Sequence, residues 1–295
     1  MPASFLVDTP SVSGYIEPDR IRDLAPMNNP PPRKLPLNKT RKPPTQAVLL
    51  PSALVLLLLL WQALRGIFSL PDFILPGPLQ VWQKFLTVLA NGVWWRNLSY
   101  TLLEVFLGLL IGGCAAAILG YGLSKSALME RLLTPFLVAS QSVPMVAIAP
   151  LLIIWFGPGL FSKVLICALV VFFPVLVNTL VGLREVPRSL RELMASLRAT
   201  PMQTLRHLEV PSAMPVLLGG LRVGATLSVI GAIVGELVGS DRGLGFLINV
   251  GRGQFDTALV FVAVFTLIGL ASALYGLILL LEKHLLAWQN WRQDF

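Results

Sequence analysis

Long apolar runs separated by short charged segments set the pattern of this chain. Six stretches approach the roughly 20 mostly apolar residues that a membrane-crossing helix requires: 47–70, 99–123, 135–156, 164–182, 215–238 and 257–281. In the first, Leu54 and Leu56 to Leu60 stand in an almost uncharged run. The predicted fold class is an all-α integral membrane protein with six transmembrane helices. Residues 1–46 are polar and proline-rich, with Pro30-Pro31-Pro32 and Pro43-Pro44 among them. That composition predicts a disordered tail ahead of a membrane domain at 47–295. A cleavable signal peptide would carry its apolar core near the start, which this tail does not.

Composition sharpens the picture. Hydrophobic residues make up 55% and charged residues 13%, against about 25% charged in ordinary soluble domains. The net charge of +8 raises nucleic acid as a partner, but a basic binding face needs its Lys and Arg clustered on one module. Here they lie between the apolar runs, as membrane topology demands, and no nucleic acid is expected. With the N-terminus inside, seventeen of the 23 Lys and Arg fall on the cytoplasmic side, the side that such residues favour. The C-terminus is then also cytoplasmic. Trp94 and Trp95 are placed at the outer interface, and Trp288 and Trp291 at the inner one. Cys114 and Cys167 fall inside apolar runs, so neither a structural disulfide nor a metal site is expected. The two histidines, His207 and His284, read as solvated or interfacial rather than catalytic.

Inside the spans, Gly108/Gly112, Gly220/Gly224 and Gly231/Gly235/Gly239 recur at four-residue spacing. That places small residues on one helical face, where helices pack closely. Pro144 and Pro150 interrupt the third span beside Gln141 and Ser142. Broken helices with polar neighbours line cavities or are buried in protein, so Gln141, Ser142 and Pro144 are candidates for a translocation path. Interhelical hydrogen bonding explains Gln141 equally well. Glu104 is the most deeply placed ionisable residue and joins the candidate path; packing with a paired side chain is its other reading. Arg222 and Glu236, towards opposite ends of the fifth span, call for no more than snorkelling or pairing.

The segment 184–215 is too long for a simple turn. Leu190, Leu193, Met194 and Leu197 recur at helical spacing. Thr200 before Pro201 marks a second short helix, expected to pass Leu205 and to stop before Pro211. Such a helix pair could lie on lipid, be a covered loop, or fit a groove on another protein.

The stretch Glu192-Leu-Met-Ala-Ser-Leu-Arg198, nine residues, then Leu208-Glu-Val-Pro211 resembles the EAA loop of ABC importer permeases. Its pattern there is Glu-Ala-Ala, three residues, Gly, nine residues, Ile-x-Leu-Pro. Leu193 and Met194 replace the alanines, and Arg198 replaces the glycine. The stretch from Pro144 to Gly157, Phe172-Phe-Pro174 with Asn178, and Gly235-Glu236 with Gly243-Leu-Gly245 resemble the branch assigned to nitrate, sulfonate and taurine. The likeness covers about 75–288. Its wording is nearest to permeases for riboflavin or the pyrimidine precursor of thiamine.

The resemblance implies a permease subunit in the inner membrane, with a cytoplasmic coupling loop between helices four and five. That loop would consist of Glu192, Leu193, Leu197, Arg198, Thr200, Leu205 and Pro211. The implied partners are two copies of an ATP-binding subunit, an extracytoplasmic substrate-binding protein, membrane lipid and a second copy of the permease. No cofactor is implied. The chain has no G-x-x-x-x-G-K-[ST], H-E-x-x-H or G-x-S-x-G sequence, so ATP hydrolysis falls to a partner and the chain is not itself an enzyme. An ion-coupled secondary transporter is the alternative class, though no inverted repeat stands out. The implied substrate is riboflavin, then the thiamine precursor, then sulfonate, taurine or nitrate.

Overall fold

The computed structural model describes residues 44–69, 71–141 and 144–286, and every regular element among them is helical. Most of the expected tail, together with Ser142, Trp288 and Trp291, lies outside the described residues. The chain divides into two units, 1–54 and 55–295. Of the first, the described part is the opening of α1 (Pro44–Ile67), where Ser52 Oγ donates to the Leu49 carbonyl at 2.9 Å.

In the second unit α1 continues, and α2 (Pro78–Ala90) and α3 (Val93–Ser124) follow. Next come α4 (Ala127–Gln141), α5 (Met145–Phe156) and α6 (Leu160–Arg184). The short α7 (Arg188–Ser196) and α8 (Pro201–Thr204) lead through a π turn (Leu205–Glu209) into α9 (Val210–Val238). Finally α10 (Leu244–Gly253) precedes α11 (Thr257–Leu285). Among the described residues four helices are long and apolar enough to cross a bilayer: α3, α6, α11 and the run Pro201–Val238.

The break expected at Pro144 is present and divides the third apolar stretch, 135–156, between the end of α4 and all of α5, whereas Pro150, expected to interrupt it too, lies inside α5. Pro144 stands before α5 with extended backbone, φ −72° and ψ 108°, and as a proline it has no N–H to carry a helix through. Conversely, the chain does not stop before Pro211. Pro211 cannot donate to the carbonyl four residues back, and the π turn occupies the stretch where that bond would have formed. The helical path thereby runs on from Pro201 to Val238.

The core is built where α3, α6 and α9 meet, with Val105, Cys167, Val171, Ala225 and Val229 buried among them. The glycine spacings explain the tight packing. A Cβ on Gly112 would run into the backbone of Ala168, and one on Gly231 would come within 3.0 Å of Cys167 Cα. Both prospective clashes are with backbone, so neither helix could accept a larger residue without moving apart. Pro174 lies inside α6, and the Asn178 side-chain amide donates to the Pro174 carbonyl at 2.8 Å. Cys114 and Cys167 are both free thiols.

Candidate functional site

At one end of the helical core, α7 and α8 project between α6 and α9. No residue of α7 is buried. Its apolar stripe is open, with Leu193 54% and Leu197 69% exposed, and Met202 of α8 is 69% exposed beside it. Glu192 and Arg198 are exposed as well. Large apolar side chains left in water cost about 25 cal/mol per Å², which lipid or a partner's groove would recover. That exposure is not what a covered loop would show, and it leaves this face open to lipid or to a groove on another protein.

The loop's shape is specified locally. The Arg198 N–H donates to the Ala195 carbonyl at 2.9 Å, and the Ala199 N–H donates to the Met194 carbonyl at 3.0 Å. This is a Schellman ending, which calls for a left-handed residue and usually takes glycine. Arg198 occupies it with φ 53°. Arg198, which stands where the resembled pattern has glycine, thus adopts a conformation that glycine favours. Thr200 Oγ1 then accepts from the Gln203 N–H at 3.3 Å while Gln203 Oε1 accepts from the Thr200 N–H at 2.7 Å, a reciprocal cap. Leu205 opens the π turn and Pro211 lies in the first turn of α9.

Sequence reasoning missed Glu209. Its side chain is buried, and Lys125, at the end of α3, donates to both its oxygens at 2.7 and 2.8 Å. Arg191 of α7 lies 4.0 Å from the same carboxylate and donates through Nη2 to the Leu183 carbonyl of α6 at 2.6 Å.

At the opposite end of the core, three charged side chains are entirely buried: Glu104 of α3, Lys163 of α6 and Glu236 of α9. Lys163 Nζ lies 3.6 Å from Glu104 Oε1 and donates to Ser240 Oγ at 2.6 Å. One of the six Lys and Arg that the charge count leaves on the outer side, Lys163 is a core residue. Glu236 accepts from Thr101 Oγ1 and from the Gly245 N–H, each at 2.6 Å. Asn97 Oδ1 accepts from the Gly243 N–H at 2.8 Å, and Thr101 Oγ1 from the Leu244 N–H at 2.9 Å. The free N–H groups that begin α10 are thereby satisfied by α3 and α9. Gly243 has φ 107°, and a Cβ there would strike the Glu236 carboxylate. Beside this cluster opens a cleft of about 600 Å³ walled by Tyr100, Pro158, Ser240 and Arg242.

Of the path candidates, the structure describes the side chains of Glu104 and Pro144, while Ser142 lies outside the described residues. Glu104 is sealed in the charge cluster, Pro144 is exposed at the head of α5, and Gln141 ends α4 with its side chain outside the described set. Arg222 pairs with Glu282 of α11. Among the described residues no three His, Cys, Asp or Glu side chains are grouped to hold a metal.

Residues 105–286 match the family described as the binding-protein-dependent transport system inner membrane component. The chain belongs to this family. It is a permease subunit of an ABC importer and a multi-pass inner-membrane protein. The riboflavin transport system permease protein RibX of Chloroflexus aurantiacus is 44% identical over 240 residues, covering 81% of this chain and 90% of the relative. The formylaminopyrimidine transport permease protein ThiX of Halalkalibacterium halodurans is 35% identical, covering 80% and 94%. A putative aliphatic sulfonates transport permease, SsuC of Bacillus subtilis, is 31% identical, covering 83% and 88%. Among solved structures, an inward-facing MetNI methionine ABC transporter shares the fold, with a TM-score of 0.54 at 21% identity, covering 68% of this permease and 97% of that chain.

Proposed function

We propose that this permease carries riboflavin inward across the membrane, driven by ATP hydrolysis on a separate subunit docked at 188–204. The substrate rests on the 44% identity to a riboflavin permease, held over nine-tenths of that relative's length. A formylaminopyrimidine is the second reading, favoured by the 35% identity to ThiX. The docking site rests on the exposed face of Leu193, Leu197 and Met202, set by the Arg198 turn and the Thr200 cap, with Glu192 and Arg198 at its edge. Leu205 and Pro211 carry the loop's movement into α9.

Two copies of the permease enclose the path, each with one ATP-binding subunit on the cytoplasmic side and sharing one binding protein outside. Both termini are cytoplasmic in this arrangement, and the break between α4 and α5, at Gln141, Ser142 and Pro144, borders the path. Glu104 acts from behind it, through the charge cluster. The test is uptake into vesicles holding the whole transporter, with ATP inside the cytoplasmic face and labelled riboflavin on the other. Riboflavin should accumulate only with ATP, and formylaminopyrimidine should compete weakly. Efficient uptake of the pyrimidine with none of riboflavin would replace the substrate. Glu192→Ala with Leu197→Asp should abolish uptake and release the ATP-binding subunit; retention of both would remove the loop from its role.

A further inference from the structure

The coupling loop is fastened to a helix far from it in sequence. Glu209 closes the π turn and is 84 residues from Lys125. Its buried carboxylate takes two short hydrogen bonds from the Lys125 ammonium, which also lies 4.8 Å from the Tyr121 ring centre. Arg191, on the loop helix α7, faces the same carboxylate at 4.0 Å while donating to the last turn of α6. One acid therefore ties α7, the head of α9 and the end of α3, and Arg191 adds α6. A π turn is a common place for a helix to be adapted to function, and here it sits at the junction of these elements.

Resting on the coupling-loop reading above, we infer that Glu209 is a positioning residue that makes the loop and the end of α3 move as one body. Force applied at Leu193 and Leu197 then reaches α3 directly through a charge-assisted contact. Without it, the loop would be joined to the core through its flanking helices α6 and α9 alone. Because α3 also carries Glu104 and the contacts that hold α10 at the other end, it is the element through which the two ends of the permease communicate.

The experiment places spin labels at Gly122→Cys on α3 and Ser196→Cys on α7, both exposed positions, with Cys114→Ser and Cys167→Ala removing the native thiols. Distances are read by dipolar electron resonance in the full complex with its ATP-binding subunit, first nucleotide-free, then trapped with ATP and vanadate. With complexes assembled so that only one permease copy carries the labels and the other is cysteine-free, the parent should give one distance, unchanged between the two states. Glu209→Gln and Lys125→Met should each give a distance that shifts on trapping, the double variant should shift no further, and Lys125→Arg should restore the parent behaviour. A parent distance that itself shifts, or variants that stay fixed like the parent, overturns the inference. Lower yield with a fixed distance is what a purely structural contact would give, and it also overturns it. Leu197→Asp separates the two levels: if the ATP-binding subunit stays bound to it and uptake continues, the coupling-loop reading falls and this inference with it.

Discussion

Replacing Lys163 with methionine leaves Glu104 and Glu236 buried together without their cation. The ammonium and the Glu104 carboxylate are 3.6 Å apart, and both side chains have no exposed surface. With both groups fully ionised, an effective dielectric of about 20 sets an upper bound of about 4–5 kcal/mol on their attraction. The hydrogen bond to Ser240 at 2.6 Å adds about 1 kcal/mol. Against this, methionine fills most of the lysine's volume and avoids the desolvation of an ammonium, so the sum overstates the loss. Breaking one side of a buried pair generally costs about 3–5 kcal/mol, and that is the expected destabilisation. For a domain of roughly 150–250 residues each kcal/mol moves the melting temperature by about 2–4 °C, giving a fall of about 6–20 °C. The assay is thermal unfolding in mild detergent on a Cys114→Ser background. A thiol-reactive fluorophore then reports exposure of Cys167, which is fully buried. Adding Glu104→Gln to Lys163→Met should recover part of the loss, because one of the two acids is gone. A Lys163→Met protein melting within about 2 °C of its parent would show that the ammonium does not hold this cluster together.

Arg198→Gly should be neutral or mildly stabilising. It relieves about 1–2 kcal/mol of left-handed strain and returns up to about 1 kcal/mol in added unfolded-state freedom; Arg198→Val, branched at Cβ, should melt below both. Thr200→Ala removes the hydroxyl that caps α8 and should cost about 1 kcal/mol, seen as a small melting shift and as faster proteolysis at 197–204 with the ATP-binding subunit absent. Gly243→Ala places a methyl group against the Glu236 carboxylate at φ 107°. About 1–3 kcal/mol of backbone strain comes on top of the clash, so its melting temperature should fall by several degrees, whereas Gly253→Ala, which meets nothing within 4 Å, should leave it unchanged. Leu197→Asp alone should reduce recovery of the ATP-binding subunit in pull-down without lowering the melting temperature of the isolated permease, since the side chain is 69% exposed.

What the sequence determined was local. A helix start at Thr200-Pro201 depends on a hydroxyl, an amide and a proline within four residues, so it could be read directly and the structure shows it. Apolar runs located α3, α6, α9 and α11 because lipid compatibility is a property of consecutive residues. The glycine spacing announced close helix contact, though not with which partner. The fold alone decided the rest. Pro144 breaks the third apolar stretch as expected, but Pro150 lies inside α5 and a π turn carries the fifth helix past Pro211, so which proline ends a helix was not legible in the prolines themselves. Lys163 looks from its position like a loop charge, but α3 and α9 bring Glu104 and Glu236 to it and close the site. Glu209 carries no signal of its own because its partners, Lys125 and Arg191, lie in other helices. Helical period, capping and proline chemistry act over a turn or so, whereas an ion pair or a glycine contact exists only once separate helices have been brought side by side.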